Sequence, residues 1–379
     1  MSAVEIREVQ GKRDLDAFIA AGHRAQSVNP HWVAPLHTEL QMAFDAKHSP
    51  LMQENAIKAF VALQDGEPAG RIAAIVNRAH LAKYKDATGH FGLIEAIDSQ
   101  PVFASLIETA SAFLKSHGLS RIQGPFSLTI NHESGLLVEG FDAPHVVRTN
   151  HAPPHYHKHI EALGFSKSMD LLAAVCRIAD SDFPERVARL AARFSGSREM
   201  RTYGLTLANW NTRFPLVLDL YNDAWQFNWG STPVSPAEAR MIANLTLPVA
   251  KPSWIRIAEW QGEPIAIVSQ IPDVNEAMKG LDGHLLPFGF AKLMWRIHAQ
   301  GTRMTRLPMI GVASRWRSTR VGSIGVSLLL AEAIEQARKA GVEEMEISWM
   351  LETNHAILNL VASLPAHPTR RFRIYEKAI

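Results

Sequence analysis

Five arginines that lie close together in the second half of the sequence are the residues best suited to bind a phosphate. They are Arg303, Arg306, Arg315, Arg317 and Arg320, and the 18 positions that they span contain no acidic residue. The guanidinium group offers several donors in a fixed planar fork, a geometry that matches phosphate oxygens. The segment therefore predicts a site for a phosphorylated ligand.

The helix predicted after this loop adds a second feature that favours anion binding. A strand is predicted over Met304–Val312 and a long amphipathic helix over Ser323–Ala340. Gly322 and Gly325 would let a ligand approach the backbone closely, and the free amides at a helix start favour an anion. We interpret the loop and helix start as a diphosphate cradle. The alternative is a solvated basic loop before an ordinary helix.

The elements that must position this loop occur twice in the sequence. Asp65-Gly66 and Gln261-Gly262 each separate two apolar stretches, which predicts a β-hairpin, and the two glycines are 262 − 66 = 196 positions apart. Gly118 and Gly341 each end a predicted helix, and an Asn-His pair follows each of them thirteen residues later. Two similar units in the same order predict a duplicated domain.

Length and composition agree with two domains. A chain of 379 residues suits two domains of about 150–200 residues each. The polar stretch Arg177–Glu185 predicts a boundary that divides residues 1–178 from residues 179–379. Hydrophobic residues make up 47% and charged residues 20%, which is typical of a soluble globular protein. Interleaved strands and helices predict an α/β class with a mixed sheet.

Composition also sets limits on partners and compartment. The net charge of +2 gives no indication of a nucleic-acid partner. The single cysteine, Cys176, excludes a disulfide within the chain. The first residues lack a signal-peptide pattern, and no apolar run approaches the ~18 residues of a membrane span. We expect a cytoplasmic protein, with peripheral contact to a membrane left open.

The order of strand, Arg-rich loop, helix, glycine, strand and asparagine resembles the GNAT acyltransferase superfamily, which binds acyl-CoA. In the CoA loop, Arg317 and Gly322 match the family pattern, whereas Arg320 stands where the family has its first glycine. Asn354 matches the family asparagine that often contacts CoA. The resemblance implies two tandem GNAT-like domains. It implies a CoA site formed by Val312, Arg315, Arg317, Arg320, Gly322, Ser323 and Asn354.

The first copy of the domain lacks a counterpart to the cradle. Residues 95–101, which lead into its long helix, contain no arginine and no glycine. The second domain is therefore expected to bind acyl-CoA as co-substrate. The first domain is expected to shape the site of the acceptor.

Several short strings resemble a narrower bacterial group of tandem proteins that includes the bacterial ceramide synthases. They are Asn131–Asp142, Asn228–Gly230, Pro272–Glu276, Ser348–Asn354 and Arg373–Lys377. This resemblance implies N-acylation of a primary amine, with a long-chain sphingoid base as the acceptor that the group suggests.

The implied reaction needs a general base, because an ammonium group must lose a proton before it attacks a thioester. Polar residues after an apolar strand often line a site, so we rank Glu133 and His132 first as the base and Asn131 as a positioning donor. Glu276 and Glu352 follow as residues that contact the substrate. The alternative for each is a turn-forming or surface residue.

Aromatic residues and the cysteine are interpreted mainly as core. Eight of the nine tryptophans lie in the second half, and most are expected to be buried, since each buries about 150–250 Å². Trp229 and Trp349 are kept as walls of the substrate site. Cys176 has no basic or histidine neighbour pattern, which indicates a buried hydrophobe. Direct acyl transfer is therefore expected, without an acyl-cysteine intermediate.

Four histidines, His151, His155, His157 and His159, could suggest a metal site. The i, i+4 spacing of His155 and His159 suits one helical face. No cysteine pair or HExxH pattern accompanies them, so no metal is predicted, and a polar pocket wall or a solvated helix start is favoured instead.

Two other functions are left open. Transferases that depend on aminoacyl-tRNA also use paired domains of this type, although the low net charge argues against a tRNA partner. Arg320 in place of a glycine, together with the missing cradle in the first copy, favours a non-catalytic acyl-CoA sensor as the other alternative.

Overall fold

The computed structural model describes residues 3–193 and 199–379. Its first compact unit comprises the residues up to Leu171, together with Met278–Gly289 and Arg370–Ile379. The second comprises Leu172–Ala277 and Phe290–Thr369. The predicted boundary between GNAT-like domains after residue 178 stays a prediction.

The first unit combines an antiparallel hairpin with helices on a mixed sheet. Its strands are β1 (Val4–Glu8), β2 (Ala56–Gln64), β3 (Glu67–Val76), β4 (Thr88–Ala96), β5 (Arg121–Gly124) and β6 (Leu136–Glu139). Its helices are α1 (Lys12–Gln26), α2 (His37–Ala43), α3 (Pro50–Glu54), α4 (Arg78–Tyr84), α5 (Gln100–Ser116) and α6 (His155–Ala162).

The remaining elements lie wholly or partly in the second unit. The strands are β7 (Ser166–Arg177), β8 (Met200–Gly204), β9 (Ile255–Trp260), β10 (Glu263–Pro272), β11 (Met304–Val312), β12 (Glu344–Leu351) and β13 (Ala366–Ala378). The helices are α7 (Phe183–Ala192), α8 (Trp210–Trp225), α9 (Pro236–Thr246), α10 (Val274–Met278), α11 (Gly289–Trp295), α12 (Arg320–Lys339) and α13 (His355–Ala362).

The two predicted hairpins are present and use the same turn. Asp65 and Gly66 have φ of 55° and 81°, and Gln261 and Gly262 have φ of 51° and 84°. Two consecutive residues with positive φ give the turn whose twist matches that of its strands, which explains the glycine in both copies.

Strand order and pairing establish the predicted class. In the first unit the order is β1-β2-β3-β4-β5-β13, with β6 also paired to β13. In the second unit the order is β12-β11-β10-β9-β8. Each unit has antiparallel pairs, and each also has a parallel pair, β4 with β5 in the first and β11 with β12 in the second. The α/β class with a mixed sheet is therefore confirmed.

The core of the second unit packs between α12 and the sheet. The buried face of α12 includes Leu329, Leu330 and Ile334, which share a cluster with Ile265 of β10 and Met345 of β12. This packing fixes where α12 begins relative to the strands, because one face of the helix is buried in the core.

The structure differs from the predicted elements in two places that matter for function. The strand predicted over Leu119–Ile130 ends at Gly124, and a loop follows. Helix α12 begins at Arg320, three residues before the predicted start at Ser323. Among the described residues, no helix is long and apolar enough to span a membrane.

Candidate functional site

Two neighbouring parallel strands of the second unit separate partway along their length. β11 and β12 are paired from Met304 opposite Glu344 to Leu307 opposite Ile347. Beyond this point β11 stays paired to β10 as far as Val312, whereas β12 runs on apart from β11. Backbone groups that border the opening are therefore open to an extended ligand with its own amides.

Pro308 explains why the parallel pairing stops. Proline has no amide hydrogen to donate to a neighbouring strand. On the other side of β11 the register with β10 shifts between Ser269 and Ile271. Pro308, Met309 and Ile310 all keep part of their surface exposed, although Met309 and Ile310 also pack against apolar clusters of the core.

A buried polar network holds the two strands at the point where they separate. Arg306 is 2% exposed, and it donates to Ser348 Oγ (2.9 Å) and to the Ser348 carbonyl (3.2 Å). Ser348 Oγ in turn donates to Glu346 Oε1 (2.7 Å). The Arg306 guanidinium lies 4.5 Å from the Trp349 ring, so this network also positions Trp349, a predicted substrate residue.

The start of α12 lies next to the end of β11. Thr319 caps the helix, because its Oγ1 accepts from the Gly322 amide (3.0 Å). The Ser323 amide donates to the Thr319 carbonyl (3.1 Å). The cap accepts from only one of the amides at the helix start that have no carbonyl partner within the helix. The helix start therefore keeps the dipole and amide donors that favour an anion.

The glycines of this helix pack closely against other parts of the chain. A Cβ at Gly322 would lie 2.2 Å from the Trp316 carbonyl oxygen and 2.9 Å from Val312 Cγ1. A Cβ at Gly325 would lie 2.8 Å from Ile265 Cδ1. Glycine is required at both positions so that the loop and the hairpin can pack on the helix. The expectation that these glycines also let a ligand approach the backbone stays a prediction.

Two of the predicted phosphate-binding arginines flank the helix tip with different partners. Arg315 forms an exposed ion pair with Glu263 (3.2 Å). Arg317 donates to the Ala224 carbonyl and its guanidinium lies 5.7 Å from the Phe227 ring. Among the described residues Arg317 forms no ion pair, so its positive charge is not neutralised by a carboxylate.

An acidic residue that no sequence pattern pointed to anchors the arginine loop. Asp223 of α8 accepts from the Ser314 amide (2.6 Å) and from Ser314 Oγ (2.7 Å). The two residues are 91 positions apart, and no spacing rule connects them. The carboxylate fixes the loop between β11 and α12, and therefore the direction of the arginines.

Three other residues predicted in this unit lie next to the ends of helices and strands. Asn354 caps α13, since its Oδ1 accepts from the Ile357 amide (3.4 Å), which leaves its amide nitrogen for a ligand. Glu352 follows β12 directly and is partly exposed, as is Trp229 in the turn after α8.

Glu276 does not lie where β11 and β12 separate. Its carboxylate accepts from the backbone amides of Arg303 and Met304, both at 2.9 Å. These amides lie at the start of β11, whereas the strands separate after Leu307. Glu276 thus secures the loop that enters the strand.

The predicted catalytic residues of the first unit lie in the loop between β5 and β6. In this loop the Asn131 amide donates to Thr129 Oγ1 (3.3 Å), and Ser134 Oγ donates to the His132 carbonyl (3.2 Å). These bonds fold the loop onto itself and fix the position of Glu133.

Glu133 shares one arginine with a second carboxylate. Arg148 donates to Glu133 Oε1 (3.3 Å) and to Glu39 Oε2 (3.2 Å). The three side chains are 18%, 30% and 28% exposed, in the order Glu133, Arg148, Glu39. Two carboxylates therefore share one guanidinium in a largely enclosed site.

The two carboxylates differ in their affinity for a proton. Burial raises the pKa of Glu39, and the charge of Arg148 offsets this only in part. Burial also acts to raise the pKa of Glu133, but Arg148 and His132 together outweigh it, so the pKa of Glu133 is lowered. Paired groups whose pKa values are driven apart are typical of acid and base roles.

Glu39 therefore has the higher pKa of the two carboxylates, and both of them hold Arg148. Sequence reasoning missed Glu39, which lies 133 − 39 = 94 positions from the motif and on a different element. No local pattern around α2 indicates such a partner.

The histidines considered for a metal site have separate partners. His151 Nδ1 is 2.8 Å from Asn29 Nδ2, and His159 Nε2 is 2.7 Å from Asp98 Oδ1. His155 contacts a backbone carbonyl. Among the described residues, no group of three or more histidines, cysteines or carboxylates is arranged to hold a metal ion.

The first unit has a parallel strand pair at the corresponding position, but its own chain closes it. β4 and β5 are paired up to His90 opposite Gln123. The Phe126 amide then donates to the Phe91 carbonyl (2.9 Å). A Cβ at Gly92 would lie 1.4 Å from the Phe126 carbonyl oxygen, so this backbone fills the space that is open between β11 and β12.

Comparison with known proteins identifies relatives over nearly the full chain. The chain is 38% identical to protein YghO of Escherichia coli over 376 residues, which cover 99% of this chain and 95% of the relative. It is 32% identical to the bacterial ceramide synthase of Caulobacter vibrioides over 372 residues, which cover 98% and 96% of the two chains.

Solved structures show the same fold at low sequence identity. The tandem GNAT protein from the clavulanic acid biosynthesis pathway superposes with a TM-score of 0.57 at 12% identity, and covers 99% of this chain and 98% of its own. The fold is therefore that of a tandem GNAT protein. No protein-family model matches the chain.

Proposed function

The chain belongs to the bacterial family that includes YghO and the Caulobacter ceramide synthase, and from this premise we propose that it transfers an acyl group from acyl-CoA to a primary amine. A long-chain sphingoid base is the acceptor class that we propose. The name of one relative and the short strings shared with its group support this choice. Transfer is direct, within a ternary complex.

The observation that carries the proposal is the separation of β11 from β12 next to the tip of α12. An extended chain that contains amides can bond to strand backbone in such an opening. A diphosphate that follows it would meet the helix amides and dipole. Acyl-CoA has both parts in this order, a pantetheine chain and a diphosphate.

The residues that would hold the donor surround this opening. Val312 ends β11, and Gly322 and Ser323 lie in the first turn of α12. Arg317 supplies a charge that no carboxylate neutralises among the described residues, and a charge-assisted bond to phosphate is stronger than a neutral one. We assign the diphosphate to this group, with Arg315, Arg320 and Asn354 beside it.

We assign the proton chemistry to the first unit. Glu39 accepts a proton from the ammonium group of the acceptor, because its pKa is raised toward the working pH. Glu133 keeps Arg148 in place, and its neighbours Asn131 and His132 position the acceptor. The pair of carboxylates attracts an ammonium group before it loses its proton.

The bond changes follow from these roles. The neutral amine attacks the thioester carbonyl, a C–N bond forms, and the tetrahedral intermediate loses the C–S bond. Of the two protons that the ammonium group loses, one remains with the carboxylate and returns to solvent, and the other goes to the thiolate of CoA. Trp349, fixed by Arg306, forms an apolar wall beside the reacting thioester.

One observation favours a second candidate, a protein that binds acyl-CoA without turnover. The Thr319 hydroxyl already takes the Gly322 amide, and Arg315 is already paired with Glu263. In this alternative the remaining donors still suffice for binding, but the thioester is not brought to a base.

Thiol release distinguishes the two candidates. The full-length chain is mixed with a long-chain acyl-CoA, with and without sphinganine, and free thiol is followed together with the amide product by mass spectrometry. We expect thiol release that depends on the amine and an amide in equal amount. Acyl-CoA binding by calorimetry with no amine-dependent thiol release would instead support the non-catalytic protein.

A further inference from the structure

One continuous stretch of chain presents a group of large apolar side chains to solvent. Leu286, Phe288, Phe290 and Trp295 are 85%, 78%, 55% and 58% exposed. They lie within ten positions, whereas the other strongly exposed large apolar residues of the described chain are scattered, namely Val28, Met42, Leu190, Leu207 and Phe227. Single exposed apolar residues are normal, but a concentrated group marks a surface that binds a partner.

The stretch is anchored, so its exposure is a feature of the fold. Leu293 and Ile297 are buried, which fixes one face of α11 and of the turn that continues it. At the other end the His37 amide donates to the Gly283 carbonyl (3.1 Å). The Arg296 guanidinium donates to a backbone carbonyl (2.7 Å). Each end of the stretch is therefore anchored within its own unit.

The charges around these side chains identify the kind of partner. Within residues 278–300 the basic residues are Lys279, Lys292 and Arg296, and the only acidic residue is Asp282. Lys292 is exposed on the same helix as Phe290 and Trp295. Exposed Phe, Leu and Trp next to Lys and Arg are typical of elements that lie in the interface of an anionic bilayer, since basic residues are attracted to its surface potential.

We propose that the segment Leu286–Arg296, here called the docking segment, inserts its apolar side chains into the surface of a bilayer that contains anionic lipids. The basic residues meet the headgroups, and Leu286, Phe288, Phe290 and Trp295 enter the boundary with the acyl chains. This inference does not depend on the proposed acyl transfer. It would, however, bring the protein to the phase in which amphiphilic substrates collect.

Vesicle flotation tests the docking segment without any acyl-CoA. The full-length chain is mixed with vesicles of phosphatidylcholine alone or of phosphatidylcholine with phosphatidylglycerol. We expect the protein to float with the anionic vesicles. The double variant Phe288→Ser with Phe290→Ser should lower the bound fraction about tenfold or more, from the loss of two large apolar side chains. Lys292→Glu should lower binding to the anionic vesicles and leave any binding to neutral vesicles unchanged.

The control is the double variant Leu190→Ser with Leu207→Ser, which removes two scattered residues that are 62% and 76% exposed. It should float like the unchanged protein. Circular dichroism would verify that all variants are folded. Absence of flotation with anionic vesicles would overturn the proposal. So would light scattering that shows a dimer in lipid-free solution which Phe288→Ser with Phe290→Ser dissociates, because the segment would then be an interface between two copies of the chain.

Discussion

The two parallel strand pairs of the molecule start alike and end differently. In the second unit, β12 departs from β11 after Leu307, and the residues that follow on β11 stay partly exposed. In the first unit, the backbone at Phe126 returns to β4 after His90, and Gly92 has no side chain to prevent it. One copy leaves an opening beside its helix, and the other copy fills it with its own chain.

A duplicated fold can therefore keep its architecture while its two copies differ beside the parallel strand pair. The helix that follows each opening agrees with this view. α12 carries Thr319 and Arg317 at or near its start, whereas α5 begins at Gln100 with Pro101 in its first turn. A proline there removes an amide that could bind an anion. The first unit instead offers the Glu39, Arg148 and Glu133 group.

The largest expected effect on stability comes from a substitution that pushes the Phe126 backbone away from β4 in the first unit. Gly92→Ala places a Cβ 1.4 Å from the Phe126 carbonyl oxygen, a clash that only a backbone shift relieves. We expect it to destabilise the first unit by more than about 4 kcal/mol, measured by hydrogen exchange of its peptides. Gly11→Ala, where a Cβ meets nothing within 4 Å, is the matched control. Full stability of Gly92→Ala would show that the copy is not closed as described.

The second prediction separates the chemistry of the two units. Glu39→Gln keeps the shape of the side chain but removes the proton acceptor, so we expect turnover to fall about 10²–10⁴-fold. Acyl-CoA affinity, which we assign to the second unit, should not change. Glu133→Gln should have a smaller effect that Glu133→Asp partly restores, because that residue holds Arg148. Equal losses for Glu39→Gln and Glu133→Gln would contradict this division of roles.

The third prediction is that acid destabilises the first unit more than the second. The buried histidines of the described chain all lie in the first unit, namely His80, His90, His145 and His151. Burial lowers the pKa of His90 to about 3 and, with nearby positive groups, that of His151 to about 4. The fold therefore favours the neutral rings. Their contribution to stability is full above the unfolded pKa of about 6.5 and is lost as the pH falls below it.

Between pH 7 and pH 5 each of these two histidines should cost about 2 kcal/mol of unfolding free energy. Hydrogen exchange of peptides from the first unit would report the stability of that unit. Tryptophan fluorescence would report mainly the second, since only Trp32 of the nine tryptophans lies in the first. Equal acid sensitivity of both units would contradict the prediction.

The smallest effect is expected at the arginine loop. Arg317→Ala removes one unneutralised charge, so acyl-CoA affinity should fall by about 1–3 kcal/mol in calorimetry. Arg303→Ala is the control from the same run of arginines, since Arg303 forms an exposed pair with Glu343 (2.6 Å). If the two variants lose affinity equally, the loop attracts the ligand only through its general charge.

Much of the fold could be predicted from the sequence because its signals are local. The Asp65-Gly66 and Gln261-Gly262 turns are positive-φ positions that few residues accept, and the prediction of β11 over Met304–Val312 is confirmed to the residue. The GNAT fold, expected from the order of these elements, is confirmed by the solved relative.

The site was predictable only in part, because its decisive contacts join residues far apart in the chain. Asp223 anchors Ser314 across 91 positions, and Glu39 meets Arg148 across 109. Gly322 illustrates a second limit. A glycine signals that something approaches the backbone, but the sequence does not tell whether a ligand or the chain's own Trp316 carbonyl does so.

Hydrogen exchange of the full-length chain with and without CoA would show whether the second unit, with its separated strands, holds the donor. We expect slower exchange with CoA in peptides that cover residues 308–323 and 348–354. We expect unchanged exchange in peptides that cover residues 91–104 and 124–130, if the proposal is right. Protection confined to the first unit, or no protection at the α12 tip at saturating CoA, would contradict it.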